Sequence, residues 1–249
     1  MLFFIDDNST YIQSGNATPN PNEYNSNVQL TAAYASANFN FLNKLKTIIG
    51  LRSEYFVMRH TGRDIAYASG NSNGNNLVNE KVLESINLFP SVNLVYSVTP
   101  KQNIRTSYSR TIARPSFKEQ SYAQILDPIT NRIFNGSLFA FSKVENGERI
   151  FTWNGNLKET NIDNFDIRWE LFLKSKAQFI TASFFFKNFT NPIELVRIPE
   201  QQTSVEYQTR NVGNGRVFGA EVEFRKNFDF ISPLLENLYL STNVTYVYS

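Results

Sequence analysis

The sequence predicts an all-β fold: an antiparallel up-and-down transmembrane β-barrel, present in part, with about eight strands of a larger barrel in an open meander. Three observations predict it. In Phe165-Asp166-Ile167-Arg168-Trp169-Glu170-Leu171 apolar and charged residues alternate without a break, and residues 217–228 repeat the pattern. Period 2 sets each class on its own face of a strand. The alternating stretches are also long, since a soluble strand runs about 5–6 residues and a membrane-spanning one roughly 9–11. Finally, the connections run short, long, short, long, short, long, short, the asymmetry of a membrane barrel with tight turns at one rim and large loops at the other.

Residues 1–26 are rich in Asn, Ser, Thr and Pro and read as loop, with a strand remnant at the start. The first long strand covers 28–41, and a tight turn at 42–45 leads into 46–58, where Ile49, Leu51, Tyr55 and Val57 share a face. The connection 59–85 holds the low-complexity run Ser69-Gly70-Asn71-Ser72-Asn73-Gly74-Asn75-Asn76 and reads as solvated loop. Strands follow at 86–98, with Pro90 near its start, and at 104–112, joined by a turn at 98–103. The gap 113–162 is the longest, and a structureless loop of that size in a compact domain counts against the assignment unless the loop is functional. A hairpin then runs from Asp163 to Phe189 about a turn at 174–177. The connection 190–214 contains strand-like pieces at 193–198 and 204–211, so that hairpin projects past the membrane. The cleanest alternation of all sets Phe218, Ala220, Val222 and Phe224 against Gly219, Glu221, Glu223 and Arg225, and a turn at 229–237 leads into 238–249. Trp169, Phe184, Phe218, Val222 and Leu240 are expected to face lipid, and Arg168, Glu170, Glu221 and Arg225 the lumen.

Composition narrows the function classes. The 249 residues carry a net charge of +2 with no basic cluster, which argues against a nucleic-acid partner. Aromatics make up 14%, with 22 Phe and 12 Tyr, as strands and aromatic girdles require. No apolar run approaches the roughly 20 residues of a membrane helix. Cysteine is absent, so thiolate chemistry, disulfides and cysteine zinc sites are excluded. The first residues, Met1-Leu2-Phe3-Phe4-Ile5, lack the marks of a secretory leader, so an envelope protein of this sequence is expected to have a missing amino-terminal part.

Candidate chemistry is sparse. His60 is the single histidine and reads as an exposed loop-edge residue without metal or triad partners. Glu221 and Glu223 lie about 6.8 Å apart along a strand, within the range of an inverting glycosidase pair, but alternation alone demands polar residues there and a charge ladder is the better reading. No nucleophile elbow or phosphate-cradling glycine loop occurs, so catalytic, metal and cofactor residues are assigned to none. For ligand binding, Arg110 and Arg114 flank the longest loop and suit an anion, or serve as interfacial and paired arginines. Phe139, Phe141, Phe151 and Trp153 within it suit stacking on a sugar or siderophore ring, or equally a cluster that closes the loop on itself.

The run Ser107-Tyr108-Ser109-Arg110-Thr111-Ile112-Ala113-Arg114-Pro115-Ser116-Phe117 resembles a TonB-dependent receptor of the Bacteroidetes type. The likeness continues through Asp127-Pro128, Asn156-Leu157-Lys158-Glu159-Thr160, Asp166-Ile167-Arg168-Trp169-Glu170 and Phe186-Lys187-Asn188-Phe189-Thr190-Asn191-Pro192-Ile193-Glu194. It ends in Asn211-Val212-Gly213 and Gly219-Ala220-Glu221-Val222-Glu223. The resemblance implies energised uptake of a scarce ligand (siderophore, cobalamin, glycan or peptide) through a plugged barrel of the 22-strand class in the bacterial outer membrane. It also implies outer-membrane lipid as a partner, a missing plug domain of the same chain, and the TonB energy transducer acting through a missing segment. A complete small eight-stranded barrel and a soluble β-rich carbohydrate-binding domain are the alternatives. Strand counting puts both ends of the chain on the long-loop side, so the expectation is a piece cut through two extracellular loops, with a gap between the strands at 28–41 and 238–249.

Overall fold

Period-2 sequence becomes one continuous wall. The computed structural model describes residues 2–6, 9–13, 22–127, 129–173, 178–198 and 205–249. In chain order its strands are β1 (Leu2–Asp6), β2 (Ser9–Gln13), β3 (Asn25–Phe41), β4 (Leu45–Arg63), β5 (Asn76–Thr99), β6 (Gln102–Ala113), β7 (Gln124–Asp127) and β8 (Arg132–Asn135). They continue as β9 (Phe141–Glu145), β10 (Glu148–Trp153), β11 (Thr160–Phe172), β12 (Phe179–Thr190), β13 (Ile193–Arg197), β14 (Val205–Asn211), β15 (Asn214–Asn227) and β16 (Tyr239–Tyr248). Eight of them form the main sheet in the order β16-β15-β12-β11-β6-β5-β4-β3, every neighbouring pair antiparallel. Its two edges, β3 and β16, do not pair with each other. The sheet is therefore an open, partial meander, and the closed eight-stranded barrel is ruled out.

Register divides the side chains as the alternation requires. Trp169 pairs with Ile104 and Ala182, Ala182 with Val222, and Val222 with Val244, an unbroken apolar row across five strands. On this face Phe165, Ile167, Trp169, Phe184, Phe218, Val222 and Leu240 are 36–50% exposed. Apolar side chains left open in such number are a surface built for lipid. The opposite face carries Arg105, Arg168, Glu170, Glu221 and Glu223, with Arg225 stacked on the Tyr239 ring at 5.1 Å. Gly219 lies on that face beneath Phe185. A Cβ there would come within 2.5 Å of the Phe185 ring and of the Tyr246 carbonyl oxygen, so the ring can lie flat only over glycine.

The tight turn between β3 and β4 holds Leu42 and Asn43 at φ 50° and 57°, the pattern of a type I′ hairpin, closed by Lys44 N–H to the Phe41 carbonyl at 3.1 Å. The turn expected at 174–177 lies outside the described residues, as do Pro128, residues 14–21 and residues 199–204. Within residues 1–26, β1 and β2 pair with each other, so more strand is present than a loop with a remnant.

The largest departure from the sequence reading is at 59–85. Pairing of β4 with β5 runs on to Arg63↔Asn76 through two register shifts, leaving only a short connection that contains the helix α1 (Ile65–Ala68). Asp64 caps that helix through Tyr67 N–H at 2.8 Å and receives the Asn75 backbone and side-chain amides at 2.9 and 2.7 Å. Polar composition alone hid this hairpin extension, because backbone pairing needs no apolar face once outside lipid. β5 has 24 residues, about 80 Å of strand against an apolar bilayer core of about 30 Å. Pro90 thus falls inside β5 rather than near its start. Pairing with β6 ends at Ser91↔Ser109, so the residue lacking N–H falls where β5 is paired on one side only.

Candidate functional site

Several charges on the polar face are paired across strands. Arg105 Nε donates to Glu170 Oε2 at 2.8 Å, and Arg168 lies 3.4 Å from Glu170 and 3.2 Å from Glu223. Glu221 accepts from Asn243 Nδ2 at 2.5 Å. Glu223 is thereby tied to arginine and Glu221 to an amide, which is the ladder arrangement. Among the described residues no group of three or more His, Asp or Glu could hold a metal ion.

Where the wall meets the long loop, Arg114 is fixed between β4 and Glu159, the residue just before β11. Its Nη2 donates to Glu54 Oε2 on β4 at 2.7 Å and its Nε to Glu159 Oε1 at 2.8 Å, while its guanidinium lies 4.3 Å from the centre of the Phe56 ring. Glu54 also accepts from Arg52 at 2.7 Å, and Glu159 from Ser85 at 2.9 Å and Asn87 at 2.6 Å. The loop beginning at Arg114 is pinned over the upper part of β4 and β5. Gln120 adds a bond from its Nε2 to the Val82 carbonyl at 3.2 Å. Beneath it sit the buried Phe56, Met58 and His60. His60 corrects the expectation of an exposed residue: it is 1% exposed, with Nδ1 2.7 Å from Ser26 Oγ and its ring stacked on Tyr24 at 5.5 Å. The strand extension that polar composition concealed is what carries it indoors.

Two long connections then fold together. β7, β8 and β14 with β13 make a four-stranded sheet, in which β14 of the 190–214 connection runs parallel to β8 of the 113–162 connection. Gln208, fully buried, bridges them: its Nε2 donates to the carbonyls of Gly136 at 2.9 Å and Phe139 at 2.8 Å, and its Oε1 accepts from Arg210 Nε at 2.8 Å. Asn135 reaches across to Glu206 at 2.9 Å. A cleft of about 340 Å³ opens at this sheet, lined in part by Lys118, Glu119, Phe134, Glu194 and Thr209.

The aromatic residues singled out in the sequence are distributed unequally. Phe139 meets Tyr122 edge-on at 5.6 Å. Arg210 lies over Phe141 at 5.5 Å and Trp153 at 5.7 Å, and Trp153 Nε1 donates to the Ser137 carbonyl at 2.6 Å. These three sit in the closure of the loop on β14. Phe151, on the β9–β10 hairpin, is 59% exposed. Arg110 is on the apolar face, not the polar one, with Nε 2.9 Å and Nη2 3.3 Å from Asp163. Burial raises the Tyr122 phenol to about 12, with the Asp64 carboxylate adding to it. Sequence reasoning missed Glu54 and Gln208. Neither sits in a local motif, and the partners that tie them to other elements are 60 to 72 residues away in the chain.

An open antiparallel wall with a lipid-type face, a charge-laddered face and a roof of folded loops has the architecture of a membrane β-barrel wall. The chain belongs to the TonB dependent receptor-like, beta-barrel family, which matches residues 3–249. Among solved structures it is similar to the copper transporter OprC, at 14% identity and a TM-score of 0.57, with 82% of this chain and 27% of that one covered. It is also similar to the siderophore receptor PirA from Pseudomonas aeruginosa, at 14% identity and TM-score 0.55, covering 90% of this chain and 43% of that one. The ferric enterobactin receptor PfeA matches at 15% identity and TM-score 0.52, with 90% and 36% covered. The chain therefore spans less than half the length of each of these receptors. A search of curated proteins finds no match.

Proposed function

We propose that this chain forms part of the wall and extracellular roof of an outer-membrane TonB-dependent receptor, which imports a scarce ligand. It is a transport protein and not a catalyst. The observation that carries the reading is the division of one eight-stranded open sheet into a lipid-type face and a charge-laddered face, roofed by two loops that share a sheet. Energy would come from the TonB transducer acting on a plug domain that belongs to the same receptor. The Bacteroidetes type is part of this proposal and rests only on the likeness of the ordered motif series from Ser107 to Glu223. Siderophores, cobalamin, glycans and peptides all suit such a receptor, and the metal-linked cargoes of the similar structures favour the first.

Within the roof, Phe151 and the cleft beside β8 and β13 are the ligand-facing parts. Arg114, Phe139, Phe141 and Trp153 hold the roof together, and Arg110 faces away from it. The test is uptake by cells carrying the full-length receptor, using labelled ferric siderophores, cobalamin and oligosaccharides in turn. Accumulation of one class that collapses with an uncoupler, and falls in Phe151→Ala, supports the reading. Accumulation unaffected by the uncoupler would refute it.

A further inference from the structure

The apolar face ends in a polar row. Register sets Arg110, Asp163, Asn188 and Arg216 side by side on β6, β11, β12 and β15. Two residues further along each strand lies a row of rings, Tyr108, Phe165, Phe186 and Phe218, continued by Tyr248 on β16. The rings meet at 4.8 Å (Tyr108 with Phe165), 6.2 Å (Phe165 with Phe186) and 5.2 Å (Phe218 with Tyr248). Between the two rows lies a depression of about 490 Å³.

Its charges do not cancel. Asp163 is satisfied at one end, by both Arg110 nitrogens and by the Tyr108 hydroxyl at 2.8 Å. That carboxylate has no charge to spare for a cation. At the other end Arg216 is exposed, with no ion pair or hydrogen bond among the described residues, and Asn188 stands between. The row therefore keeps one uncompensated guanidinium beside an aromatic floor, on the side turned away from the ladder and the roof.

We propose that this depression seats one phosphorylated glycolipid of the outer leaflet, its phosphate on Arg216 and Asn188 and its acyl chains over Phe165, Phe186 and Phe218. The inference rests on the outer-membrane placement proposed above. Guanidinium is the side chain best matched to phosphate, and aromatic rings settle at the boundary between headgroup and chain. A soluble anion would have to reach this face through the bilayer edge, whereas a lipid is already there. The bidentate Arg110–Asp163 pair fixes the near wall, and Arg216 supplies the attraction.

The test uses the full-length receptor extracted in mild detergent, with native mass spectrometry of retained lipid. Heat-modifiable migration of the same samples shows whether the barrel is inserted. Wild-type receptor and Arg168→Gln, altered on the polar face, should each retain one phosphorylated glycolipid. Arg216→Gln should retain about ten-fold less, the low end for a charge-assisted bond, and Arg216→Lys should fall between. Glycolipid stripped of phosphate should not bind when added back. Equal retention by inserted wild type and Arg216→Gln would overturn the proposal, and so would equal binding of the dephosphorylated lipid. A wild-type receptor that never enters the membrane overturns the membrane reading itself, which migration reports separately.

Discussion

Replacing Arg114 by methionine should loosen the roof without opening the wall. Arg114 is 21% exposed and its two carboxylate partners, Glu54 and Glu159, are 10% and 7% exposed. Breaking a fully buried pair costs about 3–5 kcal/mol, and an exposed pair contributes about 0–1. Glu54 keeps Arg52 at 2.7 Å after the change, while Glu159 is left with the neutral donors Ser85 and Asn87. The larger part of the loss therefore falls on Glu159, and the expected cost is about 2–3 kcal/mol, discounted for the exposed guanidinium. Loss of the cation over Phe56 is included in that figure. Urea unfolding of the full-length receptor in lipid vesicles would read it, with limited proteolysis reporting cleavage within 113–159. Glu159→Gln alone and combined with Arg114→Met completes a cycle, and a coupling of at least about 1 kcal/mol is expected for groups in direct contact. Additive single effects, or unchanged protease resistance, would show that the cluster is a solvated surface feature and would refute the reasoning.

Val222→Lys, on the apolar face between Ala182 and Val244, should cost about 2–4 kcal/mol in lipid, whereas Glu221→Gln on the polar face should cost little; vesicle unfolding distinguishes them. Gln208→Leu orphans the Gly136 and Phe139 carbonyls, each worth about 1–3 kcal/mol if buried, and should expose 113–162 to protease while barrel insertion is unchanged. Leu42 pays about 1–2 kcal/mol to hold a left-handed conformation, so Leu42→Asn should raise the unfolding midpoint. Tyr122→Phe concerns alkaline stability. The folded-state phenol is raised above its usual value, so the tyrosine's contribution is complete below about pH 10 and falls by about 1.4 kcal/mol per unit as pH rises toward the folded value; the phenylalanine variant should lose less between pH 10 and 11.

Alternation made the wall legible. Residues 163–189 and 217–228 put one class of side chain on each face, and a slip by one residue would invert every one of them, so register follows from pattern. Arg168, Glu170, Glu221 and Arg225 face as that pattern requires. Outside the bilayer this constraint lapses. In the upper part of β5, Asn76-Leu77-Val78-Asn79-Glu80-Lys81-Val82-Leu83, the apolar residues come in adjacent pairs rather than in alternation, so its pairing with β4 as far as Asn76 leaves no period to read. The roof was hidden for a related reason. Its bonds join residues dozens of positions apart, and a glutamine that bridges two loops looks like any other glutamine.

One motif behind the family likeness acquires a physical role in this arrangement. Asn211, from Asn211-Val212-Gly213, accepts the Lys158 N–H at 2.6 Å and returns its Nδ2 to the Lys158 carbonyl at 2.9 Å, so its side-chain amide takes the place of a neighbouring strand. The same Nδ2 lies 2.9 Å from the Asn191 carbonyl, and Thr160 Oγ1 donates to that carbonyl at 3.1 Å. The feet of the two loops are joined at Asn211, their middles by β8 on β14, and the feet to the wall by Arg114. Neither loop can rise alone without stranding these polar groups, at about 1–3 kcal/mol for each one left buried. A ligand that parts the roof must therefore lift both loops as one body, or replace the Arg114 and Gln208 bonds with its own.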